Sequence, residues 1–418
     1  MSWNAVNTKQ LIKLYDSGCS LGQTAEALGL SEDTVSSKLS RLRKAKKIKP
    51  RDMVKKSVQP ATASMLAQNS KLRRQLADLN KKIGDWEHLV DEFVQYAPTM
   101  SMPKFPKLRA GSKSDQELVA VFSDAHAGSY WTLDQTDGFS EYDFDIFCQH
   151  LWYYGEELVR IADAERSKFG MRTLHIDSLG DLVQGILRME DVVTNDMNMV
   201  PLCVQVSNIL FQWVSYLSGH FNNIVFTGVP GNHGRFSAKP QAKRFVEESW
   251  DTLCHLTLRS LVQAAGAQDR IEVRVPKSRI WTFERLGHRI KVMHGDTIKG
   301  GSGISPIPLY GLSRDSLRQF KKELKRGGGN LDLIELGHFH SPSMVAGEIL
   351  MNGSLCPTDP WAGDELGHAG DPSQYVYMTS ERYTFGWSLP LALKHAPKKH
   401  GFQYDKDLVS EECLQFEE

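Results

Sequence analysis

The stretch LVAVFSDAHAG, residues 118–128, sets five apolar residues directly against a small, polar run. An unbroken apolar run of that length suits a strand buried on both faces, as parallel strands are. At its end stand Asp124 and His126, a carboxylate and an imidazole two positions apart in a small-residue loop. The arrangement recurs. TLHI (173–176) precedes Gly180-Asp181, and NIVFTGV (223–229) precedes Gly231-Asn232-His233-Gly234. IKVM (290–293) runs into His294-Gly295-Asp296, and LDLIEL (331–336) into Gly337-His338-Phe339-His340. Strand ends in α/β sheets are where loops converge on ligands while the strands fix their roots. Each motif alone has an ordinary reading as a turn with a solvated side chain; five in succession, each at a strand end, do not.

The residue types indicate the chemistry. Two divalent ions about 4 Å apart can polarise a phosphoryl oxygen, activate water and stabilise an in-line displacement. A bridging carboxylate sets such a spacing, and neutral imidazoles leave the cationic charge uncancelled. A set of Asp, Asn and His without Cys suits Mn²⁺, Fe²⁺ or Zn²⁺, with Mn²⁺ first, and neither Mg²⁺ nor a structural zinc.

The motif order D-x-H, G-D, G-N-H, H and G-H-x-H, spread over about 120–355, resembles the calcineurin-like metallophosphoesterase superfamily. The resemblance implies an α/β fold, a four-layer α/β/β/α sandwich of two mixed sheets with two metal ions per subunit at one rim. It implies that Asp124, His126 and His340 hold the first metal, that Asn232, His294 and His338 hold the second, and that Asp181 bridges both. It makes His233 the catalytic residue, protonating the leaving oxygen. Two positions depart from the pattern: Gln184 stands where Gly-Asp-x-x-Asp or Asn is common, and Gly234 where an acid often follows Gly-Asn-His. If an acid there orients the catalytic histidine, the Gln184 amide oxygen or another group must replace it. Arg235 is a candidate phosphate contact or an idle exposed arginine. Tyr130 and Trp131 are candidates for stacking on a base, or for ordinary rim packing.

At the other end of the chain, residues 4–17, 21–28 and the segment after Ser31 read as three short helices, the last with an apolar stripe of Val35, Leu39 and Leu42. The stretch TAEALGLSEDTVSSKLSRLRK resembles the helix-turn-helix family, whose second helix enters the major groove. That resemblance points to Glu32, Asp33, Thr34, Ser36, Ser37 and Lys38 as groove-facing candidates. Arg41, Arg43, Lys44, Lys46 and Lys47, continued by Lys49 and Arg51, are candidate phosphate contacts. A small helical bundle for protein contact is the alternative. The organisation expected is a helix-turn-helix domain with a basic arm (1–57), an amphipathic or coiled-coil helix (62–95), a linker (96–116), the metallophosphoesterase domain (117–385) and an extension with an acidic tail (386–418). Leu72, Leu76, Leu79, Ile83, Trp86, Val90 and Phe93 keep heptad spacing, so residues 65–93 suit either a homodimer seam or one helix packed on the catalytic domain. The glycine tracts at 300–303 and 327–329 read as loops.

Composition narrows the rest. The chain has 418 residues, 41% of them hydrophobic, with 50 basic and 50 acidic side chains that cancel, which describes globular material rather than a disordered chain. The six cysteines form no CxxC pair and read as reduced thiols. With no signal-like start and no apolar window of membrane-spanning length, the expectation is a soluble, cytoplasmic protein with no membrane partner, nucleoid-associated or in a host cytoplasm if viral. The attached head and basic arm make DNA the expected partner. The reaction expected is therefore metal-dependent hydrolysis of DNA phosphodiesters, endo or exo, similar in chemistry to SbcCD-type nuclease subunits. The alternatives are a phosphatase or cyclic-nucleotide phosphodiesterase localised by the head, and a DNA-binding regulator without catalysis.

Overall fold

The computed structural model describes residues 5–48, 116–185, 194–237, 244–299, 307–366 and 370–409. The seam at 65–93, nearly all of the linker, Lys49, Arg51, the 300–303 tract and the acidic tail from Glu411 lie outside these residues. The chain divides into two units, Met1–Val90 and Asp91–Glu418.

In the first unit, three helices form: α1 (Ala5–Asp16), α2 (Leu21–Leu28) and α3 (Glu32–Lys44). Their ends are set by local chemistry. Ser20 and Gln23 close a capping box at the start of α2, and Gly29 ends it in the left-handed region at φ 62°. The Ser31 hydroxyl accepts the Thr34 N–H to start α3. Leu11, Tyr15, Ala25, Val35, Leu39, Leu42 and Ile48 make the shared core.

The second unit is a mixed α/β structure with two mixed sheets. The first sheet has the order β11-β10-β1-β2-β3-β4, with β1 (Gln116–Phe122), β2 (Gly170–Ser178), β3 (Asn223–Gly228), β4 (Ile271–Arg274), β10 (Ser373–Thr379) and β11 (Ser388–Ala392). β1 to β4 run parallel; β10 and β11 are added antiparallel. The second sheet has the order β5-β6-β7-β9-β8, from β5 (Ile280–Arg285), β6 (His288–Met293), β7 (Leu333–Leu336), β8 (Ser343–Val345) and β9 (Ile349–Met351), with β6, β7 and β9 parallel. Because β11 belongs to the first sheet, a boundary at 385 would cut that sheet.

Side-chain alternation assigns the layers. Val119 and Val121 of β1 pack with Ile290, Val292, Leu333 and Leu350 between the sheets. On the other face of the first sheet, Phe122 meets Trp213 of α5 (Met199–Ser218) at 5.6 Å, and Phe226 meets His255 of α6 (Trp250–Ala264) at 5.6 Å. The long α4 (Phe144–Phe169) joins them there, its Tyr154 hydroxyl donating to the Val121 carbonyl. Helix α5 is the one described helix long and apolar enough to cross a membrane, and 83% of its most apolar window is buried. On the far face of the second sheet, Met293, Ile334, Leu336 and Met351 pack with Leu312 and Phe320 of α7 (Leu309–Lys325). There the Lys291 ammonium reaches Glu323 of α7 at 2.7 Å.

A buried ionic cluster ties the two sheets. Arg285 of β5 donates to Asp177 of β2 and to the Tyr377 hydroxyl of β10, which donates to Glu335 of β7 at 2.6 Å. Burial, then the charge of Asp177, pushes the Glu335 carboxyl well above its ordinary range.

Candidate metal centre

β1, β2 and β3 are parallel neighbours in one sheet, and β6 and β7 in the other. Their C-terminal ends carry Asp124 and His126, Asp181, Asn232 and His233, His294, and His338 and His340. The residues gather into two groups, Asp124 with His126 and His340, and Asp181 with His294 and His338; within each, the donor atoms lie within 4.8 Å of one another. The first group has the same members as the first expected set, and the second places Asp181, expected as the bridge, with His294 and His338. Asn232 joins the second, its Oδ1 3.0 Å from His294 Nε2.

The backbone at these positions is unusual. Ten described residues other than glycine have positive φ, and five are Asp124, His126, Asp181, His338 and His340. Side chains with a Cβ enter that region at a cost, and such strain concentrates where a site demands it. Interlocking hydrogen bonds hold the loops in place. The His338 N–H donates to both Asp124 oxygens, at 3.1 and 3.0 Å. The Asp124 N–H donates to the Gly180 carbonyl and the His126 N–H to the Asp181 carbonyl, both at 3.0 Å. Ser354, just past β9, donates through its hydroxyl to the Asp124 carbonyl at 2.8 Å.

The electrostatics call for cations. Asp124 and Asp181 are fully buried. Burial alone would raise both carboxyls, but His340 beside Asp124 and His294 beside Asp181 reverse the effect. Asp124 settles at about 2, and Asp181 falls well below its ordinary range. Burial likewise depresses His294, and Asp181, 2.8 Å from its Nε2, outweighs that and lifts it to about 10. A proton on His294 thus sits where two anionic or acceptor oxygens converge, the place a divalent ion would take. The donor atoms fit such an ion. His294 directs Nδ1 to the Leu179 carbonyl at 2.9 Å, which leaves Nε2 facing Asp181 and Asn232. His126 directs Nδ1 to the Gln184 amide oxygen at 2.7 Å, and its buried Nε2 has no hydrogen-bond partner. In both rings one nitrogen is fixed from behind and the other is left to ligate.

The Gln184 amide oxygen is thus engaged by His126. The acid absent at 234 also has a counterpart. Asp251, in the first turn of α6, places its carboxylate against Gly234 and accepts N–H bonds from Asp181 at 3.0 Å, Leu182 at 3.1 Å and Gly231 at 2.9 Å. Burial and the Asp181 charge push Asp251 up to about 6. It clasps the Gly-Asp loop to the Gly-Asn-His loop, which approach so closely that a Cβ on Gly231 would collide with Asp181.

His233 is half-buried; its N–H donates to Asp181 Oδ1 at 2.6 Å, and its ring stands edge-on to His126 at 4.7 Å. Its Nδ1 is buried without a hydrogen-bond partner. Burial, opposed by Asp181, brings it down to about 3. Arg235 is half-buried and bridges by its backbone to Ser249. Trp131 is 5% exposed, packs against Tyr142 at 5.1 Å and donates Nε1–H to Ser140. Its ring is thereby held in the wall between Tyr142 and Ser140. Tyr130 and Trp131 line a cavity of about 690 Å³. In the first unit, Thr34, Ser36, Ser37, Arg41, Lys44, Lys46 and Lys47 are exposed and Lys38 is half-buried. Arg43 is exposed as well and donates to the Tyr15 hydroxyl at 3.1 Å.

No protein-family model and no curated protein matches the chain. Among solved structures it is similar to the phosphopantetheinyl hydrolase PptH from Mycobacterium tuberculosis, with 12% identity over 60% of this chain and 94% of that one, at a TM-score of 0.23. A superposition that loose supports no residue assignment, and the functional reading rests on the two donor groups.

Proposed function

We propose that the chain is a metal-dependent phosphoesterase that uses two divalent ions, Mn²⁺ first among them, to hydrolyse DNA phosphodiesters. One observation carries the reading: two buried donor groups, Asp124-His126-His340 and Asp181-His294-His338, meet at one rim of paired sheets. Asp124, His126 and His340 would hold one ion and Asn232, His294 and His338 the other, with Asp181 between them. Bound there, the ions would supply Lewis-acid polarisation of a phosphoryl oxygen and a lowered pKa for water. Gln184 fixes the His126 tautomer, and Leu179 fixes that of His294. His233 stands beside His126 to hold a proton for the leaving oxygen; an arriving phosphoryl anion raises its affinity for that proton. Arg235 is the cationic side chain nearest in sequence to that imidazole and is assigned to the phosphate.

The choice of DNA rests on the first unit, read as a helix-turn-helix domain. Thr34, Ser36 and Ser37 lie on the exposed face of α3, and Arg41, Lys44, Lys46 and Lys47 are free of ion pairs among those described, a pattern suited to base edges and phosphates. A second reading is a phosphatase or cyclic-nucleotide phosphodiesterase, whose chemistry the same two donor groups would serve. One panel decides: Mn²⁺-loaded protein with linear, nicked and supercoiled DNA, a chromogenic phosphate monoester and a cyclic nucleotide. Nicking or trimming of DNA is expected. Turnover of the small esters with DNA intact would select the second reading, and no hydrolysis at all would leave a DNA-binding regulator.

A further inference from the structure

Strand register carries one more cation to the metal rim. β5 and β6 are antiparallel neighbours in which Ile280 pairs with Met293. The residue before β5, Arg279, therefore comes to the same end of the ladder as the residue after β6, the ligand candidate His294. Contact bears this out: Arg279 donates through Nη2 to Asp296, two positions beyond His294. Asp296 in turn is near enough to act electrostatically on His294 and His338, both of the second donor group. Phe245 covers one face of the guanidinium, whose Cζ stands 4.0 Å from the ring centroid, a cation–π contact that fixes the plane. Held by the ion pair and the ring, the Arg279 side chain is still 25% exposed.

Arg235 belongs to the same group of charges. Burial lowers its guanidinium, Asp296 and Asp181 oppose that, and the cation of Arg279 adds to it. Two guanidiniums thus share the field of Asp296, while Asp181 stands with the metal donors. One carboxylate does not balance two cations, and like charges gathered at a rim favour the arrival of an anion. The phosphoryl group to be hydrolysed is assigned to the ions and Arg235. A further guanidinium is surplus for an ester with a single phosphate and useful to a chain that carries another. We propose that Arg279 is a substrate-binding residue that holds a phosphate adjacent to the one hydrolysed. This inference rests on the nuclease reading above and narrows it, because selection of a polynucleotide over a small ester then comes from charge beside the second donor group. The guanidinium has more N–H donors than one carboxylate oxygen takes up, in a planar fork that suits phosphate oxygens.

The test compares two substrates in the full Mn²⁺-loaded chain: a thymidine trinucleotide with both linkages phosphodiester, and the same trimer with either linkage replaced by a neutral methylphosphonate. Length and bases are shared, so the ratio of their KM values reads the second charge, and damage to the metal site that raises both KM values cancels. In the native chain the trimer with a neutral linkage is expected to have a KM about tenfold higher, the worth of a charge-assisted hydrogen bond. Arg279→Gln should lower that ratio at least about fivefold, and Arg279→Lys, which keeps the charge without the fork, should fall between. If circular dichroism shows that Arg279→Gln does not fold, Arg279→Lys decides by its reduced ratio. Equal KM values in the native chain, with both trimers hydrolysed, overturn the proposal and leave the nuclease reading standing. So does a native ratio in the folded Arg279→Gln variant, or in Arg279→Lys where that one decides. Hydrolysis of neither trimer by the native chain overturns both.

Discussion

A Cβ built on Gly234 would stand 2.7 Å from both carboxylate oxygens of Asp251, and those oxygens hold the backbone N–H groups of the Gly-Asp and Gly-Asn-His loops together. The lack of a side chain at 234 and the acid at 251 are therefore one feature, a clasp beneath Asp181 and Asn232.

Gly234→Ala must displace that carboxylate, so it is expected to lower metal affinity and the unfolding temperature together. Asp251→Ala leaves the N–H groups of Asp181, Leu182 and Gly231 without acceptors, each at a cost of about 1–3 kcal/mol. Mn²⁺ titration followed by electron paramagnetic resonance, with calorimetric unfolding, reads both effects. Native affinity in Gly234→Ala would show that the loops do not depend on the clasp.

Gln184 acts on the His126 imidazole. Gln184→Leu removes the acceptor for His126 Nδ1–H, and removing the partner behind a ligating histidine costs about 10–100-fold in metal affinity. Gln184→Glu keeps an acceptor and should retain most of it. If both variants bind Mn²⁺ equally, the tautomer of His126 is set by something else.

Asp196, buried beside the start of α4 with its Oδ2 accepting the Phe144 N–H at 2.7 Å, gives a pH signature. Its folded pKa of about 7 lies above the ordinary 3.8. As pH rises between those values the unfolded chain releases this proton while the folded chain holds it, so stability falls, by up to about 4 kcal/mol. Asp196→Asn is expected to unfold at a higher temperature than the native chain at pH 7, with the advantage gone near pH 4. An advantage that does not change with pH would contradict the assignment.

How much of this the sequence disclosed depends on where each signal sits. β1, β2, β3, β6 and β7 are legible because parallel strands buried on both faces read as apolar runs, and their ligands are legible because each run ends directly in Asp, Asn or His. Asp251 is hidden: an acid in the first turn of a helix is ordinary chemistry for the helix dipole, and only the fold brings it under Gly231 and Gly234. Ser354 follows the short β9, whose three residues carry no periodic signal. The acids around the cavity beside Tyr130 come from 134–145, 196 and 407, segments that no local window joins. β11 escapes a sequence reading because Ser388–Ala392 includes Pro390, which an edge strand tolerates and a central one does not.

For the first unit, replacing Lys44, Lys46 and Lys47 with Ala is expected to weaken DNA binding uniformly across sequences. The slope of log affinity against log salt should fall by about 0.9 for each phosphate no longer neutralised. Ser37→Ala should alter sequence preference more than the salt slope. Fluorescence anisotropy at several salt concentrations separates the two, and an unchanged slope in the triple variant would remove this face from the interface.

The most direct test of the two-metal assignment combines metal content with cleavage. The protein is equilibrated with Mn²⁺, freed of unbound ion by gel filtration, and assayed by atomic emission and for hydrolysis of labelled DNA. The native chain should retain two ions, one for each donor group, and cleave. Asp181→Ala should lose both ions and all cleavage, and His338→Ala the ion of the second group with most of the activity. Native metal content and undiminished hydrolysis in Asp181→Ala would contradict the account.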